Sequence, residues 1–181
     1  MGQERSSLFS VGHGARDLDS LLAILQDAAV RLVVDVRIAP GSRRHPHFGK
    51  DALAEALENA GTDYVWRGAE LGGFRRPRRD SRHTALRNET FRGYADHMET
   101  EPFRAGLEWM LETARSVPTA FLCAESDWHR CHRRMIADAV IARGGRVVHL
   151  LDGRREEHSL HPDARFEGID VIYDGAQATI L

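Results

Sequence analysis

Lysine is almost missing from this chain: Lys50 is the single one, so every other member of its 25 lysine and arginine side chains is an arginine. A GC-rich genome accounts for such a bias without phosphate binding, so only the placement of the arginines is informative. Cysteine is scarce as well. Cys123 and Cys131 are the two present, which excludes a disulfide scaffold and fits a reducing compartment. No apolar run approaches the ~20 residues that a membrane-spanning helix needs. The opening MGQERSSLFSVGHG has no extended apolar region behind a basic start, so no signal peptide is expected and the cytoplasm is the default location. Excess charge of either sign is also lacking. A net charge of -2 and a pI of about 6.5 argue against duplex nucleic acid as the main partner, since such domains carry a strong basic excess. Internal repeats and low-complexity tracts are absent.

What is present is an alternation of apolar, β-branched runs with segments of helical period. SLFSVG (7–12), RLVVDV (31–36), DYVWRG (63–68), TAFLCA (119–124) and RVVHLL (146–151) read as strands, and IDVIYD (169–174) as a small edge strand. Asp17 is a candidate cap for a helix whose Leu18, Leu21, Leu22, Leu25 and Ala29 share one face. Further helices are expected over 50–60, 90–98, 102–115 and about 131–143. The segment 67–92, with LGGFRRPRRDSRH and eight arginines, breaks the pattern and reads as a long irregular loop or lid. At 181 residues the chain is expected to form one domain, 1–181. The fold class that follows is a single three-layer α/β domain, Rossmann-like, with a mostly parallel sheet of about five strands flanked by helices.

On that scaffold the unusual residues gather at one edge. Gly12 and His13 follow the first strand, and Asp35 and Arg37 end the second, with Ser42, Arg43, Arg44, His45 and His47 behind them. Gly72, Gly73, Arg75 and Arg76 follow the third strand, Cys123 and Glu125 end the fourth, and Asp152 ends the fifth. Every cluster lies at the carboxyl end of its strand, where open α/β sheets bind ligands.

The densest stretch is FLCAESDWHRCHRRM (121–135). A phosphatase loop of the form Cys-x5-Arg does not fit it, because six residues separate Cys123 from Arg130 and the expected glycines are missing. Zinc is a second candidate, through Cys123, His129, Cys131 and His132, but the spacing matches no finger, ribbon or knuckle. Adjacent residues at a helix start point about 100° apart, so Cys131 and His132 can share an ion only if the helix begins later. The spacing therefore assigns no metal. Cys123 is either a thiol nucleophile or a small buried hydrophobe. Glu125 is a general acid or base, or a cap. His132 and Arg133 fall in the first helical turn, where an anion opposite them makes sense of their charge. Asp35 and Arg37 are two apart on a strand, so they share a side, and an ion pair would hold Arg37 fixed for an anionic ligand. His13 is a base candidate or a turn residue. Trp66 and Trp128 could stack on a ring, or serve as core.

Taken in order, SVGHG (10–14), DVRIAPGSRR (35–44) with Phe48, YVWRGAELGG (64–73) and CAESDWHRCHR (123–133) resemble the bacterial and archaeal domain-of-unknown-function family numbered four-eight-eight. The match runs from about 7 to 153, leaving 154–181 as a C-terminal extension. The family's usual hydroxyl residue after Gly-His is Gly14 here. The resemblance implies a one-domain α/β protein with its signature on one edge, and it supplies neither a reaction nor a cofactor.

The reading that follows is an enzyme acting at this edge on a phosphorylated, nucleotide-like or nucleic-acid substrate. Its catalytic candidates are Cys123, Glu125, His13 and Asp35, and its ligand-binding candidates are Arg37, Ser42, Arg43, Gly72, Gly73, Arg75, His132 and Arg133, with Arg76 as a further anion contact. The alternatives are a non-catalytic nucleotide or nucleic-acid binding module and a zinc-binding domain. A small anionic ligand is the expected partner, a membrane is not, and protein partners are left open.

Overall fold

The computed structural model describes residues 7–41 and 44–176. Ser42 and Arg43 therefore lie outside the described residues. In chain order the elements are β1 (Ser7–Gly12), α1 (Leu18–Asp27), β2 (Leu32–Asp35), α2 (Lys50–Asn59), β3 (Asp63–Trp66), α3 (Gly68–Leu71), α4 (Glu89–Met98), α5 (Glu101–Thr113), β4 (Thr119–Cys123), α6 (Arg133–Ala142), β5 (Arg146–Leu151), β6 (Arg154–Glu157), β7 (Ala164–Glu167) and β8 (Asp170–Tyr173). One-turn 3-10 segments precede α2 and α6.

Six strands form one sheet in the order β3-β2-β4-β1-β5-β6. The first five are mutually parallel and β6 pairs antiparallel with β5. Side-chain alternation along the central strands splits the core in two. Val33, Ala120 and Leu122 meet Leu21 and Leu25 of α1 and Leu53 and Leu57 of α2 on one face. Val34 and Phe121 meet Tyr94, Phe103, Met110 and Ile136 of α4, α5 and α6 on the other. Strands buried on both faces need apolar residues at successive positions, which explains the runs LVV and AFL. The Asp17 carboxylate accepts from the Ser20 amide at 2.7 Å and so caps α1, as its position predicts.

The strand order places a switch point in the centre of the sheet. β1 and β4 are neighbours, yet the chain leaves β1 for α1 on one face and β4 for α6 on the other. In open α/β sheets such diverging connections mark the carboxyl edge of the strands as the place where ligands bind.

Three expectations need correction. The run 169–174 is not an edge strand of the main sheet: β8 pairs with β7 in a separate two-stranded ribbon lying against α4 and α6. The segment 67–92 contains a helical turn, α3, and its arginine-rich part is tied down. Arg78 and Arg82 both pair with Glu99, at 2.6 Å each, and Arg82 also reaches Glu167 at 2.8 Å, so it is pinned across α4. The helix expected from 131 begins at Arg133, and this later start shapes the site.

His158 and Tyr173 are anchored to α6 by a buried polar chain. Asp138 accepts from His158 Nε2 at 2.8 Å and from the Tyr173 hydroxyl at 2.8 Å. With its Nε2–H given to Asp138, His158 accepts at Nδ1 from His149 Nε2, 3.0 Å away. Burial holds the His149 imidazole down at about 2, so it stays neutral within this chain.

Candidate functional site

At the carboxyl edge two groups of side chains flank the end of β2, one on each face of the sheet. The first lies on the α1–α2 side. The buried Asp35 carboxylate accepts from the Arg37 amide at 3.0 Å, from Arg37 Nε at 2.9 Å and Nη2 at 2.5 Å, and from the Tyr64 hydroxyl at 2.6 Å. Arg37 Nη1 donates to the Phe48 carbonyl at 2.7 Å and meets His13 Nε2 at 3.2 Å. His13 Nδ1–H is given to the Gly14 carbonyl at 2.9 Å, and the ring stacks on Phe48 at 4.2 Å. Every nitrogen of the Arg37 guanidinium thus has a partner inside the protein. Asp35 and Arg37 share a side, as their spacing implies, and together they fix His13 and the segment around Phe48. Burial and the Asp35 carboxylate push the Tyr64 phenol well up, so Tyr64 is a donor at neutral pH.

Burial also lowers His13 to about 4 from the ordinary 6.5. Between those values the unfolded chain binds a proton that the folded chain refuses. Stability is therefore unaffected by His13 above pH 6.5 and declines as pH falls toward 4, by up to about 3 kcal/mol. Urea unfolding of wild type and His13→Gln across this range checks the sign: the variant shows a shallower loss on acidification. Parallel curves contradict the assignment.

The second group, on the α4–α6 side, is built by the junction between β4 and α6. Asp127 caps the 3-10 turn Trp128–Arg130 by accepting from the His129 amide at 3.0 Å. Cys131 is then extended, with φ -124° and ψ 149°, and His132 is the cap residue of α6. Because Cys131 is outside the helix, the 100° divergence of adjacent helical residues does not apply, and both side chains turn to Cys123. His132 Nδ1 lies 3.9 Å from Cys123 Sγ and 3.7 Å from Cys131 Sγ. His132 Nε2–H donates to the Val36 carbonyl at 3.2 Å, so in the neutral ring the Nδ1 lone pair faces the two sulfurs. Both cysteines are free and nearly buried. The neighbouring Cys131 thiol raises Cys123, with burial adding to it. Cys123 in turn lowers Cys131, and the Arg133 charge acts in that direction too.

The ligating atoms of Cys123, Cys131 and His132 lie within 4.8 Å of one another, and among the described residues no carboxylate joins them. Of the four zinc candidates the sequence offers, His129 is elsewhere: it is exposed, bonds Asp127 at 3.0 Å and stacks on Trp128. Tyr94 covers the cluster, its ring edge-on to His132 at 5.0 Å and its hydroxyl donating to the Leu71 carbonyl at 2.7 Å. Gly73 closes another side, since a Cβ there would lie 3.1 Å from His132 Nδ1. Gly72 is tight against Ile38.

Arg133 is fully buried behind this group. Its Nη1 donates to Ser10 Oγ at 3.0 Å and its Nη2 to the carbonyls of Glu125 at 2.5 Å and Ser126 at 3.3 Å. Among the described residues no carboxylate lies within ion-pair distance of it, although carbonyls satisfy much of its hydrogen bonding. Gly12 permits this clamp. A Cβ at Gly12 would overlap the Glu125 carbonyl oxygen and lie 2.7 Å from Arg133 Nη2. Gly12→Ala must push the 124–126 loop outward, an overpacking expected to cost about 1–3 kcal/mol. Thermal unfolding measures the cost, and an unchanged midpoint would mean that the loop yields freely.

The remaining candidates are more peripheral. Glu125 is exposed, and its carboxylate accepts from the Asp127 amide at 3.2 Å, as a cap does. Arg75 holds the carbonyls of Gly72 and Ala69 at 3.0 and 2.7 Å. Trp66 donates to the Arg37 carbonyl at 2.8 Å, and Trp128 is buried on His149 at 3.9 Å. Two concavities lie away from these groups, one between α4, α5 and α6 lined by Phe103 and Arg143 and a wider groove at the amino edge around Phe9 and Arg146, and among the described residues no thiol or imidazole lines them. Two partners of the site escaped sequence reasoning. Tyr94 sits in an ordinary amphipathic helix and gives no signal, and the Val36 carbonyl is backbone.

The sequence model of one family, described as Domain of unknown function DUF488, matches residues 17–140. No curated protein matches the chain, and no solved structure does.

Proposed function

The chain belongs to the DUF488 family, and we propose that it is an enzyme acting on an anionic, phosphorylated or nucleotide-like substrate, with Cys123, Cys131 and His132 as its reacting centre. One observation carries this reading. A hydrogen bond to Val36 holds the His132 lone pair toward two sulfurs at 3.7 and 3.9 Å, at the edge where the chain connections diverge. A thiol pair and an oriented imidazole are the parts of nucleophilic or metal-assisted chemistry, and a module that only binds needs neither. The anionic preference rests on charge. Among the described residues Arg133 is a buried cation with no carboxylate within ion-pair distance, and the loop residues Arg44, Arg76 and Arg130 are exposed and form no ion pair. Arg37 and Arg75, committed to the protein itself, serve this reading by fixing the walls of the site.

Incubation with phosphate esters, nucleotides and short oligonucleotides, followed by product analysis, tests the proposal. Conversion of at least one compound is expected. A compound that raises the unfolding temperature and is recovered unaltered after long incubation turns the reading to the binding module.

A further inference from the structure

We infer that Cys123, Cys131 and His132 form a binding site for one soft divalent cation of the zinc class, with the fourth position left to water or to an anionic group of the substrate. The inference rests on the reading of this cluster as the reacting centre and says what the centre holds. Two thiols and an imidazole are the donor set that such ions prefer over carboxylates. With metal–sulfur and metal–nitrogen bonds of roughly 2.3 and 2.1 Å, a tetrahedral site has N···S edges of about 3.6 Å. The observed separations of 3.7 and 3.9 Å need a contraction of only a few tenths of an ångström. The second layer also fits. A ligating histidine gives its other N–H to a carbonyl or carboxylate, which fixes its tautomer, and His132 does so to Val36 at 3.2 Å.

Charge supplies the fourth ligand. On binding, the thiols lose the protons they hold to the buffer, two metal–sulfur bonds form, and no electron moves. Two thiolates neutralise the divalent ion and the imidazole is neutral. The buried Arg133, with no carboxylate within ion-pair distance among the described residues, then leaves one positive charge at the centre, which favours hydroxide or a substrate anion in the open position. No fourth histidine, cysteine or carboxylate joins the three among the described residues. Sites with three protein ligands are the arrangement of catalytic rather than structural zinc.

Titration of the full chain with cobalt(II), then zinc(II), tests the site. One cobalt per chain is expected, with a thiolate-to-metal charge-transfer band and the strong visible bands of tetrahedral cobalt, all abolished by one equivalent of zinc. Cys131→Ser and His132→Asn weaken cobalt binding about tenfold or more. Gly73→Ala gives a second route that leaves all three ligands in place, because its Cβ would crowd His132 Nδ1 at 3.1 Å. It is expected to weaken binding about tenfold with the unfolding midpoint little changed. Absence of the charge-transfer band in wild type, or binding indifferent to all three substitutions, overturns the inference. The two readings fail separately. A chain that binds no metal but loses turnover in His132→Asn keeps its reacting centre as a thiol site. A chain that binds metal and keeps full turnover in that variant has a structural ion and a different centre.

Discussion

Replacing Asp35 with alanine is expected to cost about 3–5 kcal/mol of stability, because it strands the Arg37 guanidinium as an uncompensated buried charge. Asp35 is fully buried and Arg37 nearly so, and the carboxylate receives the Arg37 amide, Nε and Nη2 together with the Tyr64 hydroxyl. Those donors lose their acceptor at once. Asp35→Asn keeps the shape and one acceptor oxygen, so its loss is smaller but of the same sign. Removing both charges in Asp35→Ala/Arg37→Met recovers a large part of the loss, since no unpaired cation is left behind. Urea unfolding of the single and double variants measures this. A double variant as unstable as the sum of the singles would mean that the pair is not a unit. Arg37 also holds His13 and Phe48, so the same variants loosen this side of the carboxyl edge and are expected to lower any turnover.

The pairing of Asp35 with Arg37 was legible from their spacing on a strand. That every Arg37 nitrogen is engaged was not, because the Phe48 carbonyl comes from eleven residues away and periodicity carries no such contact. The strands and long helices were legible for a related reason: LVVD and TAFLC are apolar at successive positions, as a parallel strand between two helical layers requires. The ribbon β7–β8 was not, since a short run such as DVIY buries equally well on a sheet edge or on the helices α4 and α6. At the site, clustering on the carboxyl edge followed from strand order in the sequence. What stayed hidden was the extended backbone of Cys131, set by the turn that Asp127 caps. A displacement of two residues in the start of α6 decides whether Cys131 and His132 diverge or converge. Boundary errors of this size are ordinary for helix ends. Arginine placement was the least transferable signal: Arg78 and Arg82 are held by Glu99, the residue that ends α4, and no spacing or periodicity sets it beside them.

If Cys123, Cys131 and His132 act as one reacting unit, a double-mutant cycle on turnover will show it. With a substrate found by product analysis, Cys131→Ser and His132→Asn are each expected to lower kcat/KM by at least about 100-fold, equivalent to ~2.7 kcal/mol of transition-state stabilisation. Circular dichroism should show both variants folded. Members of one catalytic unit are grossly non-additive, so the double variant should be no slower than the slower single by more than a few-fold. Wild-type turnover in either folded single variant, or losses that simply multiply in the double, would mean that the three side chains do not work as a unit.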